Sequence, residues 1–269
     1  MPKTKVCLLD GGSLVLDGFH IYWNRGPGGE VRFPCYSVLI DHPEGRFLFD
    51  TGFDFDHVQR VLPFEKPIQT GAQTLPGALS LLGLKTEDID CVINSHYHFD
   101  HCGGNKHLLN TRTICHSLEF ESLKNPLPFE GLGYSDLSFV PEIARVQADP
   151  EKTQPQNLDL LPPNFELIGG DTQIVKGLWV FETPGHTAGH CSLMVELGDR
   201  RPMLFTADAC YGQKSLDLMC ISSFHVNPTA SLDSMQRLKD LAAEYDAELF
   251  FSHEDESYAG YLKAPDCYF

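Results

Sequence analysis

Four short apolar runs in this chain each lead to a side chain of metal-ligating type. CVINSH ends on His96, WVFETPG is followed by His186, MLFTAD ends on Asp208 and ELFFSH ends on His253. Runs of this length, rich in β-branched and aromatic residues, read as strands. A sheet brings the ends of its strands to one edge, and loops held there by a rigid scaffold are a usual place for chemistry. A single strand-ending histidine reads as an ordinary surface residue; four such ends beside a histidine-rich loop do not. That loop, NSHYHFDHCGG, places His96, His98, Asp100 and His101 within six positions. Buried polar groups are costly unless paired, and a divalent ion, or two, would pair all of these at once.

The spacing divides the candidate ligands. His96 and His98 are two apart, so on extended backbone they point the same way. With His186 they make a three-nitrogen site. Asp100 and His101 lie one turn further on and face a second position, which His253 completes. Asp208 has two carboxylate oxygens and can bridge the two positions. Nitrogen and carboxylate donors without thiolate suit Zn²⁺, with Mn²⁺, Fe or Co²⁺ as alternatives. Gly103 and Gly104 are expected to turn the backbone away and leave the cluster open.

The rest of the chain reads as strands with helices interspersed. KVCLLDGGSLVL is apolar and broken at Gly11-Gly12, CYSVLIDHPEGRFLFDTG is a hairpin turning at HPEG, and WNRGPGGEVRFP is a loop before it. TLPGALSLLGLKTEDID has helical apolar spacing with Gly83 as its stop. SLDSMQRLKDLAAEYD is the clearest helix, with Leu232, Met235, Leu238 and Leu241 on one face. Residues 124 to 160 carry five prolines and weak periodicity, and read as an insertion or lid over a single domain spanning residues 1–269. Two sheets packed face to face with helices outside are expected.

With a formal net charge of −17, the surface repels phosphate backbones and anionic membranes. No stretch approaches the roughly twenty apolar residues of a spanning helix. The start of the chain does not read as a secretory signal, so a cytoplasmic protein is expected. Nine scattered cysteines without a C-x-x-C pair are expected to be free thiols. No G-x-S-x-G elbow is present, which removes the serine route to ester hydrolysis.

SHYHFDH resembles the H-x-H-x-D-H signature of the metallo-β-lactamase superfamily, and His186, Asp208 and His253 fall where its remaining ligands do. The resemblance covers nearly the whole chain. It implies an αβ/βα four-layer sandwich of two mixed β-sheets flanked by helices, and a hydrolytic site with two Zn²⁺ ions. DACY, which puts Tyr211 three residues after Asp208, and TPGHTAGH look like the lactone-hydrolysing branch. The resemblance then implies a small-molecule lactone substrate, attack by a metal-bridging hydroxide, an oxyanion donor in Tyr211 and a proton shuttle in Asp100. Within that branch LLDGGSLVLDGFHIYWNRGPGGEVRFPCYSVLI, VLPFEKPIQ and GLGYSDLSF look most like 4-pyridoxolactonases. N-acyl-homoserine lactonases and other ester or thioester hydrolases of the fold are the alternatives. A two-iron redox protein or a non-catalytic binding module stands further off.

Asp50 in LFDTG matches a superfamily position that supports the metals; a turn-capping aspartate is the competing assignment. His190 is either a support or a structural core residue. Tyr22, Trp23 and Arg25 are the candidate substrate contacts, with Trp23 equally readable as core. Members of this branch often dimerise, so a homodimer is expected.

Overall fold

The computed structural model describes residues 4–26, 28–134 and 164–269. Its first sheet runs in the order β1 (Lys5–Asp17), β2 (Glu30–His42), β3 (Gly45–Phe49), β4 (Cys91–Ile93), β5 (Arg112–His116) and β6 (Phe165–Ile168). The second runs β11 (Glu248–Phe250), β10 (Met203–Phe205), β9 (Cys191–Val195), β8 (Leu178–Glu182) and β7 (Thr172–Val175). Both are mixed: β1–β2–β3 pair antiparallel and β3 to β6 parallel, while only β10 and β11 run parallel in the second sheet.

The sheets are buried on both faces, so several strands read as continuous apolar runs rather than alternating ones. Val6, Leu8, Ile40, Phe49 and Ile93 of the first sheet meet Leu178, Val180, Leu193, Met203 and Phe205 of the second in a shared central layer. The alternate residues of the first sheet, Cys7, Leu9, Leu39, Leu48 and Val92, pack under the helix Leu75–Ser80. Phe181, Met194 and Leu204 of the second do the same under the helix Pro228–Glu244. The expected four layers are therefore present.

Several local expectations change. Gly11-Gly12 does not break β1; the strand continues through a register shift between Asp10 and Ser13. Gly12 has φ +95° and lies so close to Ile68 O that a Cβ would collide with it. The end of the expected loop, from Glu30, is already β2. In the helix Pro228–Glu244, Met235, Leu238 and Leu241 are buried but Leu232 is exposed. Ser231 and Ser234 take the inner positions of the first turns, because that end of the helix packs tightly on the backbone at Gly185, where only small side chains fit.

The cysteines are not all free. Cys7 and Cys267 form a disulfide, and the other seven are buried thiols. Val6 and Tyr268 exchange both backbone hydrogen bonds, which lays the end of the chain along β1 and brings the two sulfurs together. Two cysteines 260 positions apart carry no local sequence signal of pairing. Most of the expected insertion, residues 135–163, lies outside the described residues. Among the described residues no helix is long and apolar enough to cross a membrane.

Candidate metal centre

All four strand ends converge. His96 follows β4, His186 follows β8, Asp208 follows β10 and His253 follows β11. Asp100 and His101 come from the single helical turn Phe99–Cys102. His96, His98 and His186 offer ligand atoms to one point, and Asp100, His101, Asp208 and His253 to another; within each group the atoms lie within 4.8 Å of one another. His186 Nε2 is 3.2 Å from His96 Nε2 and 2.8 Å from His98 Nδ1. His253 Nε2 is 3.2 Å from His101 Nε2. Asp208 faces both groups: Oδ1 is 2.9 Å from His253 Nε2 and 3.0 Å from His101 Nε2, while Oδ2 is 3.3 Å from His186 Nε2. Asp100 Oδ2 stands 3.6 Å from His101 Nε2 and 3.7 Å from His253 Nε2.

The outward hydrogen bonds decide what these rings present inward. His253 Nδ1 donates to Pro34 O at 2.8 Å, and His186 Nδ1 to Phe224 O at 2.7 Å. His101 Nδ1 donates to Asp50 Oδ2 at 2.8 Å. Ser95 Oγ gives its proton to Asp50 Oδ2 and so accepts from His96 Nδ1 at 2.9 Å. A ring that donates at Nδ1 turns the lone pair of Nε2 toward the centre. His253, His101 and the Asp208 carboxylate then point acceptors at one another across about 3 Å. Such a set needs a cation at its centre, and donors of this kind fit a pair of divalent ions.

The electrostatics agree. Burial, with the neighbouring imidazoles, holds His96 and His98 well below the usual histidine range, so both rings are neutral. Burial also depresses His101, but the carboxylates of Asp208, Asp100 and Asp50 outweigh it and lift the ring well above that range. Burial would raise Asp208; His101, His253 and His186 overcome it and pull the carboxyl down. The pull that would hold a proton on His101 acts equally on a metal ion.

Above the ligands lies a cavity of about 570 Å³. His98, Asp100, His186 and Asp208 form its floor, and Leu14, Leu16, Phe33, Phe64, Phe99, Phe129 and Phe224 supply its apolar walls. Tyr211 is buried at the same floor, edge-on to His253 at 5.0 Å and to His186 at 6.2 Å. Burial and the Asp208 carboxylate push its hydroxyl well above the ordinary tyrosine range, so it keeps its proton and can donate.

A family model described as the metallo-β-lactamase superfamily matches residues 31–253. This chain belongs to that superfamily. Among curated proteins, the N-acyl homoserine lactonase of Bacillus sp is 27% identical, covering 99% of each chain. The N-acyl homoserine lactonase AttM of Rhizobium radiobacter is also 27% identical, over 100% of both. A solved structure of an N-acyl homoserine lactone hydrolase, with its product N-hexanoyl-L-homoserine at the catalytic metal centre, superposes with a TM-score of 0.82 at 26% identity over the whole of both chains.

Within this superfamily member the remaining candidates separate. Asp50 has φ +56°, a conformation that aspartate tolerates better than most residues. It takes Ser95 N–H on Oδ1 and the Ser95 hydroxyl and His101 on Oδ2, so it steadies His101 directly and His96 through Ser95. His190 is wholly buried; it donates from Nδ1 to Thr183 and accepts the Asp208 backbone N–H on Nε2 at 2.9 Å. Burial holds its pKa down to about 3, which keeps that acceptor free of a proton.

Tyr22, Trp23 and Arg25 do not line the cavity. Trp23 lies against His225, itself a wall residue, Arg25 reaches Leu218 O, and Tyr22 packs against the cluster of Phe33, Phe99 and Tyr211 with the Lys214 ammonium over its ring. From the same sequence stretch His20, Glu30 and Phe33 reach the cavity wall, and Phe33 stacks on His253 with ring centroids 3.7 Å apart. Gly103 and Gly104 do not open the cluster; they let the ligand turn pack on residues 51–54, where a Cβ would strike backbone.

Glu119 carries no motif in the sequence. Fully buried, it accepts from Tyr97 N–H and Gly189 N–H and so joins the two loops that carry His98 and His186. An acid in the first turn of the short helix Ser117–Lys124 gives no pattern by which it could be found.

Proposed function

We propose that the chain is a metal-dependent hydrolase that opens the ring of a lactone. The observation that carries this reading is the meeting of seven side chains of metal-ligating type, four of which form the floor of one largely apolar cavity together with Tyr211. When bound, a pair of divalent ions, Zn²⁺ by donor type, supplies an activated water and polarises a carbonyl. Hydrolysis adds water across the acyl C–O bond, and the ring oxygen leaves with a proton as the alcohol of a hydroxy acid. Tyr211 donates a hydrogen bond to the carbonyl oxygen as negative charge grows there. Asp100, at the cavity floor, takes the proton released by the water and passes it to the departing ring oxygen.

The N-acyl homoserine lactonases that match along the whole chain support an N-acyl-homoserine lactone as substrate, with the apolar walls around its acyl tail. A second reading, a compact pyridine-fused lactone such as 4-pyridoxolactone, is favoured by where the stretches that resemble 4-pyridoxolactonases lie. Those stretches supply Leu14, Asp17, His20, Glu30 and Phe33, then Leu62, Phe64 and Glu65, then Leu132 and Gly133 of the cavity wall. The test is a comparison of initial rates on hexanoyl-homoserine lactone, 4-pyridoxolactone and a glutathione thioester with the metal-loaded protein. Turnover of either lactone supports ring opening and selects between the two substrates. Turnover of the thioester alone would overturn the lactonase reading. Tyr211→Phe should lower kcat/KM by about a hundredfold with metal content unchanged; loss of metal in that variant would refute the role given to Tyr211.

A further inference from the structure

Two buried carboxyls in the cavity have oxygens that no described residue claims. Glu65 closes the turn Pro63–Glu65 and is 7% exposed, yet its side chain lines the cavity. Among the described residues no hydrogen bond or ion pair reaches its carboxyl. The adjacent Lys66 turns away with φ +45° and pairs with Glu30. Glu130, 9% exposed and also in the wall, takes Leu127 N–H on Oε2, and among the described residues its Oε1 meets no partner.

A buried acid without a partner is destabilising, and an unbranched methylene tail laid against it would leave it so. A ligand that brings a hydrogen-bonding nitrogen or hydroxyl satisfies it. We propose that Glu65, together with Glu130 of the same cavity wall, selects lactones whose non-hydrolysed part carries polar ring atoms, by hydrogen bonding to that part. The class is a compact heteroaromatic or hydroxylated lactone rather than a plain hydrocarbon one. The proposal rests on the lactonase reading and deepens it.

The test uses a matched pair of fused lactones: 4-pyridoxolactone, with a ring nitrogen and hydroxyl, and phthalide, the benzene-fused lactone without them. The metal-loaded wild type should prefer the former in kcat/KM by about ten- to a hundredfold, the range of one to two such hydrogen bonds. Glu65→Leu should bring the ratio close to one, while Glu65→Gln, which keeps a donor and an acceptor, should retain much of it. Metal content of each variant is measured in parallel, so that a folding or loading defect is seen as such. A ratio unchanged in Glu65→Leu, or equal losses on both lactones, would overturn the proposal and leave the lactonase reading standing. A wild type that hydrolyses neither these lactones nor hexanoyl-homoserine lactone would overturn both.

Discussion

At the level of single side chains, the hydrogen bond that each histidine makes away from the centre decides what it offers toward it. Asp50 is the most connected of the partners, since it touches His101 and, through Ser95, His96. Asp50→Asn should weaken metal retention in both ligand groups, by about ten- to a hundredfold in affinity. Titration of metal-free protein with Zn²⁺ checks this; a loss confined to one group would show that the Ser95 link carries nothing. Glu65 gives a different prediction. Burial first, and the Asp100 charge second, push its carboxyl from an ordinary 4.5 up to about 8. The folded state thus holds a proton that the unfolded chain has given up, so this group lowers stability as pH rises from about 4.5 to about 8. Relative to wild type, Glu65→Gln should gain thermal stability across that window and stay parallel to it below. Parallel melting curves from pH 4.5 to 8.5 would mean that the folded carboxyl ionises as the unfolded one does. The seven candidate ligand positions stand out in the sequence because four of them follow apolar runs and the other three crowd into one short loop. Glu65 and Glu119 do not, because their roles depend on what lies across from them in space.

At the level of elements, strand ends do the positioning and the residues just before the ligands bear the strain. Gly185 precedes His186 with φ +132°, and Ala207 precedes Asp208 with φ +42°. A Cβ at Gly185 would stand 2.3 Å from the backbone nitrogen of Ser231. Gly185→Ala should therefore cost at least about 2 kcal/mol through backbone strain and overpacking, and should displace His186. Thermal melts with metal analysis test it: a variant with wild-type melting temperature and metal content would show that the helix Pro228–Glu244 yields easily at its start. Strand and helix identities followed from apolar runs and spacing. The inner face of that helix did not follow as well, because Leu232 satisfies the helical period while contact with the Gly185 loop demands serine. The 18–26 turn shows the same limit: aromatic content marks it for attention, but Tyr22 and Trp23 stay out of the cavity wall, while His20 of the turn and Phe33 of β2 enter it.

For the whole molecule, the two sheets share one apolar layer, and the ligands come from both of them, so the site closes only when the layers have met. The Cys7–Cys267 disulfide spans nearly the entire chain. Loss of such a link removes about 2–5 kcal/mol of stability. Cys267→Ser, melted without reductant, should fall below the wild type, and reductant should bring the wild type down to meet it. Equal melting temperatures for variant and oxidised wild type would show that backbone pairing alone secures the end of the chain. Layer order was legible from the resemblance and from apolar runs buried on both faces. The covalent closure was not, since no periodicity links positions so far apart.

That closure makes the protein almost a ring. Val6 and Tyr268 already face each other as strand partners, so the order in which the residues are joined matters less than the neighbours they keep. A circular permutant, with its ends tied by a short linker and a new start cut at the exposed turn of Gly198 and Asp199, would keep every candidate ligand on its own strand end.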